Sequence, residues 1–279
     1  MNILAAWHEA SATLKQASKS DEARLEAQLL LEHVLNVNHA WLIAHAEDEL
    51  DHESQSQFQM HIERRIKGEP IAYILGTREF YGLPLVVTSD TLIPRPDTEI
   101  LVDAALALIP KNTAQSVLDL GTGSGAIALA IAKHRPLSNV IAVDACMKAL
   151  AIARENAQRL AITNIELRNS NWFDSLPNQT VDLIVSNPPY IENNDVHLNQ
   201  GDLRFEPLSA LASGDDGLND IRHIIRHAKQ HLNINGWLLI EHGYDQSSKV
   251  ASLMQQAQFN AIRHIHDLAG IARVTIAQH

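Results

Sequence analysis

The sequence predicts an α/β fold in which helices cover a largely parallel sheet. Five short apolar segments have the length and composition of buried strands: residues 117–120, 140–143, 164–168, 181–186 and 237–241. Segments with helical spacing of apolar residues separate them, which is typical of a parallel sheet. Two further strands are predicted around residues 261–266 and 273–277. They are too close in sequence for a helical crossover, so we expect an antiparallel hairpin there.

A smaller helical domain is predicted at residues 1–75. Apolar residues recur at helical spacing over residues 21–35 and 53–67, and either Ser20 or Asp21 is expected to cap the first helix.

A linker and a larger domain follow the helical domain. Gly82 and Pro84 lie near the centre of a short extended stretch, so we predict a β-hairpin linker at residues 76–91. The larger domain is predicted at residues 92–279 and begins with a helix over residues 97–109.

The loop after the first strand of the large domain is rich in glycine and reads Gly121-Thr122-Gly123-Ser124-Gly125. Alternate glycines let the chain turn sharply and bring its backbone close to a ligand. The next strand ends in Asp144, where a carboxylate can accept hydrogen bonds from ribose hydroxyls. Dinucleotide sites use the longer spacing G-x-G-x-x-G, which leaves room for a pyrophosphate. The shorter spacing favours S-adenosylmethionine, which has no phosphate.

The fourth strand is followed by Asn187-Pro188-Pro189-Tyr190, at the sheet edge where open α/β folds carry out chemistry. Prolines have no N–H group, so the Pro188 carbonyl is expected to lack a sheet partner. Together with the Asn187 side-chain oxygen, it offers two acceptors to one planar –NH2 group, and Tyr190 can pack on that plane. We therefore predict methyl transfer to an amide or exocyclic amine, with Asn187 and Pro188 catalytic and all four residues binding the substrate.

The combination of motifs resembles the seven-stranded, Rossmann-like (class I) S-adenosylmethionine-dependent methyltransferases that modify planar nitrogen. Within that superfamily, the chain resembles the protein-glutamine methyltransferases of the HemK/PrmC group. The likeness also rests on four other segments: residues 64–82, 92–99, 205–208 and 239–243. The form Arg95-Pro96-Asp97-Thr98-Glu99 is similar to members that act on peptide chain release factors. This resemblance implies methylation of the glutamine side-chain nitrogen in the Gly-Gly-Gln motif of those factors.

The expected cofactor site combines the glycine-rich loop with residues that the resemblance adds. Its members are Gly121, Thr122, Gly123, Ser124, Gly125, Asp144, Asn171, Trp172 and Asn187. The resemblance implies that Trp172 lies beside the adenine. Asn171 replaces the usual Asp of the family, but its amide oxygen can still accept a hydrogen bond from the adenine amino group. The turn at residues 270–273 also departs from the family, since an acidic residue commonly precedes the Arg, and we assign it no role.

Charge separates this function from methylation of adenine N6 in DNA, for which the same Asn-Pro-Pro-Tyr chemistry would serve. Residues 1–75 contain six Lys or Arg and twelve Asp or Glu, a net charge of −6, and the whole chain carries −11. A groove for DNA phosphates needs basic residues. We therefore expect release factors as partners and no direct nucleic-acid binding. A ribosomal-protein glutamine methyltransferase and, less favoured, the DNA enzyme remain alternatives. The complete cofactor motif argues against a non-enzymatic binding module.

Composition predicts a cytoplasmic protein without a membrane partner. The one cysteine, Cys146, cannot form an internal disulfide, no apolar run is long enough to span a bilayer, and the N-terminus lacks the basic start of a secretory signal. We interpret Cys146 as a small apolar filler. His223, His227 and His231 recur every four residues with basic residues between them, so we predict a solvated helix face and no metal.

Overall fold

The computed structural model describes residues 1–18 and 21–279. The chain forms two compact units. One consists of Met1–Thr77 and the short segment Gln200–Phe205, and the other consists of Arg78–Asn199 and Glu206–His279. The chain therefore leaves the second unit after Asn199 and returns to it at Glu206.

The first unit is helical. Its helices are α1 (Ile3–Ser18), α2 (Ala23–Leu35), α3 (His39–Ala44), α4 (His52–Ile66) and α5 (Ile71–Leu75). Their apolar faces form one core, which includes Trp7, Leu14, Leu30, Leu31, Phe58 and Ile62. The predicted capping of α2 by Asp21 is wrong, because a turn separates Asp21 from the helix and the N-cap is Glu22, which makes no side-chain capping bond. Ser20 lies outside the described residues.

Arg65 holds a buried ion pair in the helical unit. Its guanidinium donates to both carboxylate oxygens of Glu26, at 3.0 and 2.8 Å, and to Asp202 Oδ1 at 3.1 Å. The Arg65 and Glu26 side chains are 12% and 9% exposed. Arg204, in the same short segment as Asp202, donates to the carbonyl of Lys67 at 2.7 Å. Two arginine contacts thus attach that segment to the helices.

A hairpin begins the second part of the chain. Strands β1 (Thr77–Phe80) and β2 (Leu83–Val86) pair with each other in a two-stranded sheet. Tyr81 and Gly82 join them with φ values of 52° and 75°. Two consecutive positive φ angles match the right-handed twist of a tight hairpin.

The second unit contains a seven-stranded sheet. Its strands are β3 (Ser116–Leu120), β4 (Asn139–Asp144), β5 (Ile165–Asn169), β6 (Val181–Ser186), β7 (Leu232–Glu241), β8 (Asn260–His266) and β9 (Ala272–Gln278). Their spatial order is β5-β4-β3-β6-β7-β9-β8. Strands β3 to β7 run parallel, whereas β9 is antiparallel to both β7 and β8. The predicted fold class is confirmed, including the C-terminal hairpin.

Strand β7 begins five residues earlier than the predicted start at residue 237. Its first part, residues 232–236, contains Asn233, Asn235 and Gly236, which break the apolar pattern. The pairing with β6 also shifts register between Val181 and Leu183. Polar residues at an irregular stretch of the ladder therefore concealed the beginning of this strand.

Helices cover both faces of the sheet. They are α6 (Glu99–Leu108), α7 (Ala126–His134), α8 (Met147–Arg159), α9 (Asn219–Ala228) and α10 (Ser247–Gln256). Residues of α6, α7 and α8 share a core with Val117 of β3, whereas residues of α9 and α10 share a second core with Leu118 and Leu120. Successive β3 residues thus face opposite layers. None of the helices in the described part of the chain combines the length and apolarity that spanning a bilayer requires.

The carboxyl ends of β3, β4, β6 and β7 meet at one edge of the sheet. The chain goes from β3 to β4 on one side, and β6 lies on the other side of β3. This reversal of strand order opens a crevice at the carboxyl edge, which is where such sheets bind ligands. The fold therefore brings together the loops that carry the sequence motifs.

Replacing Arg65 with alanine should destabilise the helical unit. Removing one partner of a buried ion pair leaves the other charge unpaired and costs about 3–5 kcal/mol. We expect R65A to lower the free energy of unfolding by this amount in urea titrations followed by circular dichroism. The matched control is R64A, because the Arg64 and Glu69 side chains are 41% and 25% exposed, and exposed pairs contribute less than about 1 kcal/mol. Equal losses in the two variants would contradict this interpretation.

Candidate active site

The glycine-rich loop connects β3 to α7 through three unusual backbone conformations. Gly121, Gly123 and Gly125 have φ values of 73°, 56° and 87°, which side-chain-bearing residues rarely adopt. A Cβ at Gly125 would lie 2.9 Å from Cδ1 of Leu129, and a Cβ at Gly121 would lie 3.4 Å from the Trp172 ring. Glycine is therefore required both for the turn and for close packing against the helix.

Asp119 fixes the loop from inside β3. Its side chain is fully buried, and its Oδ2 accepts a hydrogen bond from the Thr122 hydroxyl at 2.6 Å. Burial raises the pKa of Asp119 to about 7, although bonds from Thr122 and from the Ala128 amide oppose the rise. Ser124 is also buried, and its carbonyl accepts from Asn156 Nδ2 at 2.9 Å. Thr122 and Ser124 thus support the loop from the protein side.

Asp144 holds the other side of the loop at the end of β4. Its Oδ2 accepts from the Gly123 amide and its Oδ1 from the Cys146 amide, both at 2.8 Å. Burial raises the pKa of Asp144, and these two bonds oppose the rise. Each carboxylate oxygen keeps a further lone pair for a ligand hydroxyl.

A cavity of about 590 Å³ opens beside these residues. It is lined by seven of the predicted site residues, namely Gly121, Gly123, Asp144, Asn171, Trp172, Asn187 and Pro189. The other predicted residues, which do not line the cavity, are Thr122, Ser124, Gly125, Pro188 and Tyr190. The volume is in the range of ordinary small-molecule sites.

Residues to which the sequence predictions assigned no role complete the cavity wall. They include the stretch 89–92, Lys148, Pro207 and Ser209. The Lys148 ammonium forms an exposed ion pair with Asp90 at 3.2 Å at the cavity edge. These residues were not predicted from the sequence because they come from separate segments, including the first turn of α8, that approach one another only in the folded chain.

Asn171 and Trp172 follow β5 and line the same cavity. Trp172 has a φ of 51°, which is uncommon for a bulky residue and often marks a functional loop. The Nδ2 of Asn171 donates to Asp174 at 3.3 Å, which leaves its Oδ1 as an acceptor.

The Asn-Pro-Pro-Tyr loop is anchored at both ends. Just before it, the Ser186 hydroxyl donates to the Leu120 carbonyl at 2.8 Å, so the end of β6 is fixed to the end of β3. At the far end, the Tyr190 carbonyl accepts from Gln246 Nε2 at 2.9 Å. Burial raises the pKa of the Tyr190 hydroxyl, and the Glu241 charge adds to this effect. In the described part of the chain, the Pro188 carbonyl accepts no hydrogen bond.

Thr98 and Glu241 lie behind Asn187. The Nδ2 of Asn187 donates to Thr98 Oγ1 at 3.1 Å, and the Glu241 side chain lies beside both residues, with its Oε2 buried and without a hydrogen-bond partner in the described part of the chain. Glu241 is fully buried, which raises its pKa to about 7; the Asp97 charge adds to the rise, while the polar groups of Thr98 and Asn187 and the charge of Arg273 oppose it. Sequence analysis gave these two residues no role, although both lie in segments that carried the family resemblance.

Two ion pairs fix the segment that contains Thr98. Arg95 pairs with the buried Glu206 carboxylate, which also accepts from the Ile93 amide at 3.0 Å. On the other side, Arg273 bonds Asp97 and Asp267, each at 3.0 Å. The turn at residues 270–273, to which sequence analysis assigned no role, is thus joined to the segment at residues 92–99.

Two other sequence interpretations need correction. Cys146 is exposed at the cavity wall, so it is not an apolar filler. His223, His227 and His231 are half-buried rather than solvated, because His231 stacks on Phe173 with ring centroids 4.5 Å apart. Among the described residues, no group of three His, Cys, Asp or Glu side chains could hold a metal ion.

The strand order, the glycine-rich loop and the Asn-Pro-Pro-Tyr loop define a Rossmann-like methyltransferase. The chain matches a family model described as PrmC N-terminal domain over residues 5–76 and one described as Methyltransferase small domain over residues 97–204. It is 46% identical to the release factor glutamine methyltransferase of Salmonella typhimurium over 268 residues, 96% of this chain and 95% of that protein. The protein of the same name from Coxiella burnetii is 46% identical over 278 residues, 100% of this chain and 99% of that protein. The chain belongs to the family of release factor glutamine methyltransferases.

A solved structure supports the fold. The crystal structure of a methyltransferase from Pyrococcus furiosus superposes with a TM-score of 0.55 at 18% identity, covering 77% of this chain and 96% of that one. At this identity the likeness shows the fold alone. The predicted resemblance to the HemK/PrmC group is confirmed by the family relationship.

The contribution of two buried carboxyls to stability should decrease as pH rises towards 7. The ordinary pKa values of Asp119 and Glu241 are 3.8 and 4.5, but both are about 7 in the folded protein. Between these values the folded state binds more protons than the unfolded chain. Their contribution to the free energy of unfolding therefore falls with rising pH, by up to about 1.4 kcal/mol per pH unit for each carboxyl, and levels off above the folded pKa.

The D119N variant tests the contribution of Asp119. Because one titrating carboxyl is removed, D119N should lose the decrease that Asp119 contributes between about pH 5 and pH 7. We expect the unfolding free energy from urea titrations to have a clearly less negative slope against pH in D119N than in the wild type. The control is D182N, since the pKa of Asp182 is lowered below 3.8 and its titration lies outside this interval. A D119N slope as steep as that of the wild type would contradict the assignment.

Proposed function

We propose that this protein transfers a methyl group from S-adenosylmethionine to the side-chain amide nitrogen of the glutamine in the Gly-Gly-Gln motif of peptide chain release factors. The observation that carries the proposal is that the Asn187 side chain lines the cavity while the carbonyl of the next residue, Pro188, accepts no hydrogen bond in the described part of the chain. Asn187 uses its Nδ2 to bond Thr98, and neither acceptor oxygen is needed to complete the sheet. The names of the two curated relatives support the choice of substrate.

The cavity residues fit S-adenosylmethionine as the methyl donor. Asp144 would accept hydrogen bonds from the ribose hydroxyls, Trp172 would pack beside the adenine, and Asn171 Oδ1 would accept from its amino group. The backbone of Gly121 and Gly123 would hold the amino-acid part of the ligand, while Thr122, Ser124 and Gly125 maintain the loop. When bound, the cofactor supplies a methyl group on a positively charged sulfur.

Asn187 and Pro188 would act on the glutamine. An amide nitrogen is a poor nucleophile because its lone pair is delocalised into the carbonyl. If both N–H groups donate to the two acceptors, electron density returns to nitrogen and the nitrogen is held in one position. The same oxygens stabilise the positive charge that grows on nitrogen as the new bond forms. Pro189 would shape the cavity wall and Tyr190 would pack against the amide plane.

The division of the chain suggests separate roles for its parts. We assign substrate recognition to the helical domain at residues 1–75, whose net charge of −6 suits a protein partner better than nucleic acid. Residues 76–91 form the β-hairpin linker, and residues 92–279 carry out methyl transfer. A substrate that acts in translation, together with the single cysteine, favours a cytoplasmic enzyme.

Methyl transfer to a full-length release factor tests the proposal. After incubation with labelled S-adenosylmethionine, we expect label in the peptide that contains Gly-Gly-Gln and none in duplex DNA or in a ribosomal protein fraction. A release factor with Glu in place of this Gln should remain unlabelled. Its carboxylate would leave both acceptors without a donor, at about 1–3 kcal/mol for each buried group before charge repulsion is counted.

The variant N187A tests whether the Asn187 side chain is responsible for methyl transfer. We expect turnover to fall by about 10²-fold or more, as for other preorganised groups that stabilise developing charge. The control is N139A, because Asn139 is an exposed residue at the start of β4, on the opposite edge of the sheet. Label in DNA, equal labelling of the Glu-containing factor, or full activity of N187A would refute the proposal.

A further inference from the structure

Three exposed side chains, Tyr244, Leu268 and Ile271, form an apolar patch on the second unit. Leu268 is fully exposed, Tyr244 is 71% exposed and Ile271 is 36% exposed. Leu268 and Ile271 belong to the turn between β8 and β9, and Tyr244 belongs to the loop between β7 and α10. We propose that this apolar patch docks the release factor through an apolar surface that lies outside the Gly-Gly-Gln motif. The inference rests on the proposed function and deepens it.

The two loops of the apolar patch leave neighbouring strands at the carboxyl edge of β7. Strand β9 is the antiparallel neighbour of β7, and the His242 amide donates to the Arg273 carbonyl at 2.9 Å. Tyr244 follows His242 by two residues, and Ile271 precedes Arg273 by two residues. The side chains of the patch therefore come from adjacent strand ends, at the same edge of the sheet as the proposed reaction site.

The β8–β9 turn is tied to the residue that would hold the glutamine. Arg273 bonds Asp267, the first residue of the turn, and also Asp97, each at 3.0 Å. Thr98, which is next to Asp97, accepts the hydrogen bond from Asn187 at 3.1 Å. The apolar patch is thus continuous with the proposed reaction site, and a folded substrate that places its glutamine at Asn187 comes to lie next to this turn.

The β7–α10 loop is tied to the Asn-Pro-Pro-Tyr loop. Gln246 Oε1 accepts from the Gly243 amide at 2.8 Å, and its Nε2 donates to the Tyr190 carbonyl at 2.9 Å. Tyr244 lies between these two ends of the bonded loop. Both parts of the apolar patch are therefore fixed relative to the residues that would bind the glutamine.

Hydrogen bonds order the turn that carries Leu268 without any partner. Asp267 Oδ1 accepts from the amides of Ala269 and Ile271 at 2.9 and 2.8 Å, and the Asp267 carbonyl accepts from the Gly270 amide at 2.9 Å. Gly270 has a φ of 79°, which glycine adopts readily. A side chain on an ordered turn loses less conformational entropy on binding than one on a mobile loop. Leu268 buries no surface in this fold, so its apolar area remains available to a partner.

Charge defines the rim of the apolar patch. Asp245, next to Tyr244, is exposed and forms neither an ion pair nor a side-chain hydrogen bond within the described residues. The Asp267 carboxylate, by contrast, is paired with Arg273. An unpaired carboxylate at the rim favours a partner with a complementary positive charge. We therefore expect the docking surface of the release factor to combine apolar side chains with a Lys or Arg.

The variant L268S tests the apolar contact. Because Leu268 is fully exposed, the thermal unfolding midpoint should not change. We expect the Kd for full-length release factor, measured by calorimetry with S-adenosylhomocysteine present, and the KM for its methylation to rise about tenfold, as for the loss of an interface anchor. Affinity for S-adenosylhomocysteine alone should stay the same. The matched control is L137S, because Leu137 is also exposed but precedes β4, at the opposite edge of the sheet.

The variant D245K tests the charge at the rim. We expect the Kd for the release factor to rise about fivefold at low ionic strength, and much less in about 0.5 M salt, because salt screens exposed charges. The control is E155K, which makes the same change of charge at an exposed position on α8. An equal effect of the two variants would show that net charge, and not the rim of the patch, acts on binding, and would contradict this part of the proposal.

A photo-reactive benzoylphenylalanine in place of Leu268 identifies what covers the patch. On illumination of the mixture, we expect a cross-link to a release-factor peptide outside the Gly-Gly-Gln motif, and none when the same group replaces Leu137. A cross-link to a second copy of this chain would overturn the inference, as would equal Kd and KM values for L268S and the wild type.

Binding and methyl transfer separate this inference from the proposed function. A wild type that binds the release factor through Leu268 but transfers no methyl group would refute the proposed function alone. A wild type that methylates the factor, with L268S binding it equally tightly, would overturn the inference alone. A wild type without affinity for the release factor would overturn both.

Discussion

The hydrogen bond from Asn187 Nδ2 to Thr98 Oγ1 joins the parts of the chain that form the proposed reaction site. Asn187 follows β6, Thr98 precedes α6, and Glu241, which lies beside both, ends β7. The Ser186–Leu120 bond connects this group to the glycine-rich loop after β3. Because the Ser186–Leu120 bond is buried and the Asn187–Thr98 bond is partly buried, the position of the Asn187 amide depends on the packing of the whole carboxyl edge of the sheet.

The carboxyl edge of the sheet also contains two side chains, Asp119 and Glu241, whose charged forms are destabilised by burial. Asp119 supports the glycine-rich loop through Thr122, and Glu241 lies beside Asn187, and the pKa of each is raised to about 7 by loss of solvent. A well-packed apolar residue at either position would avoid this cost. Their position near the carboxyl ends of β3 and β7 fits the general trade of stability for a preorganised site.

Most of the fold can be predicted from local sequence, whereas the contacts that hold the reaction site in place cannot. Apolar runs located the strands, but β7 was placed too short because Asn233, Asn235 and Gly236 interrupt its pattern. The cavity residues that lie in recognisable sequence motifs were also predicted. Thr98 and Glu241 were missed because they are far apart in the chain and meet only through the pairing of β6 with β7 and the placement of α6. The spacing of residues within one segment cannot indicate a contact between segments that are distant in the chain.

The most direct test of the central claim is a crystal structure with S-adenosylhomocysteine and a Gly-Gly-Gln peptide. We expect the glutamine nitrogen to lie within hydrogen-bond distance of Asn187 Oδ1 and the Pro188 carbonyl, with Asn187 Nδ2 still bonded to Thr98. It would be contradicted if the glutamine bound with its carbonyl oxygen towards Asn187, or if the Asn187 side chain turned away from the peptide.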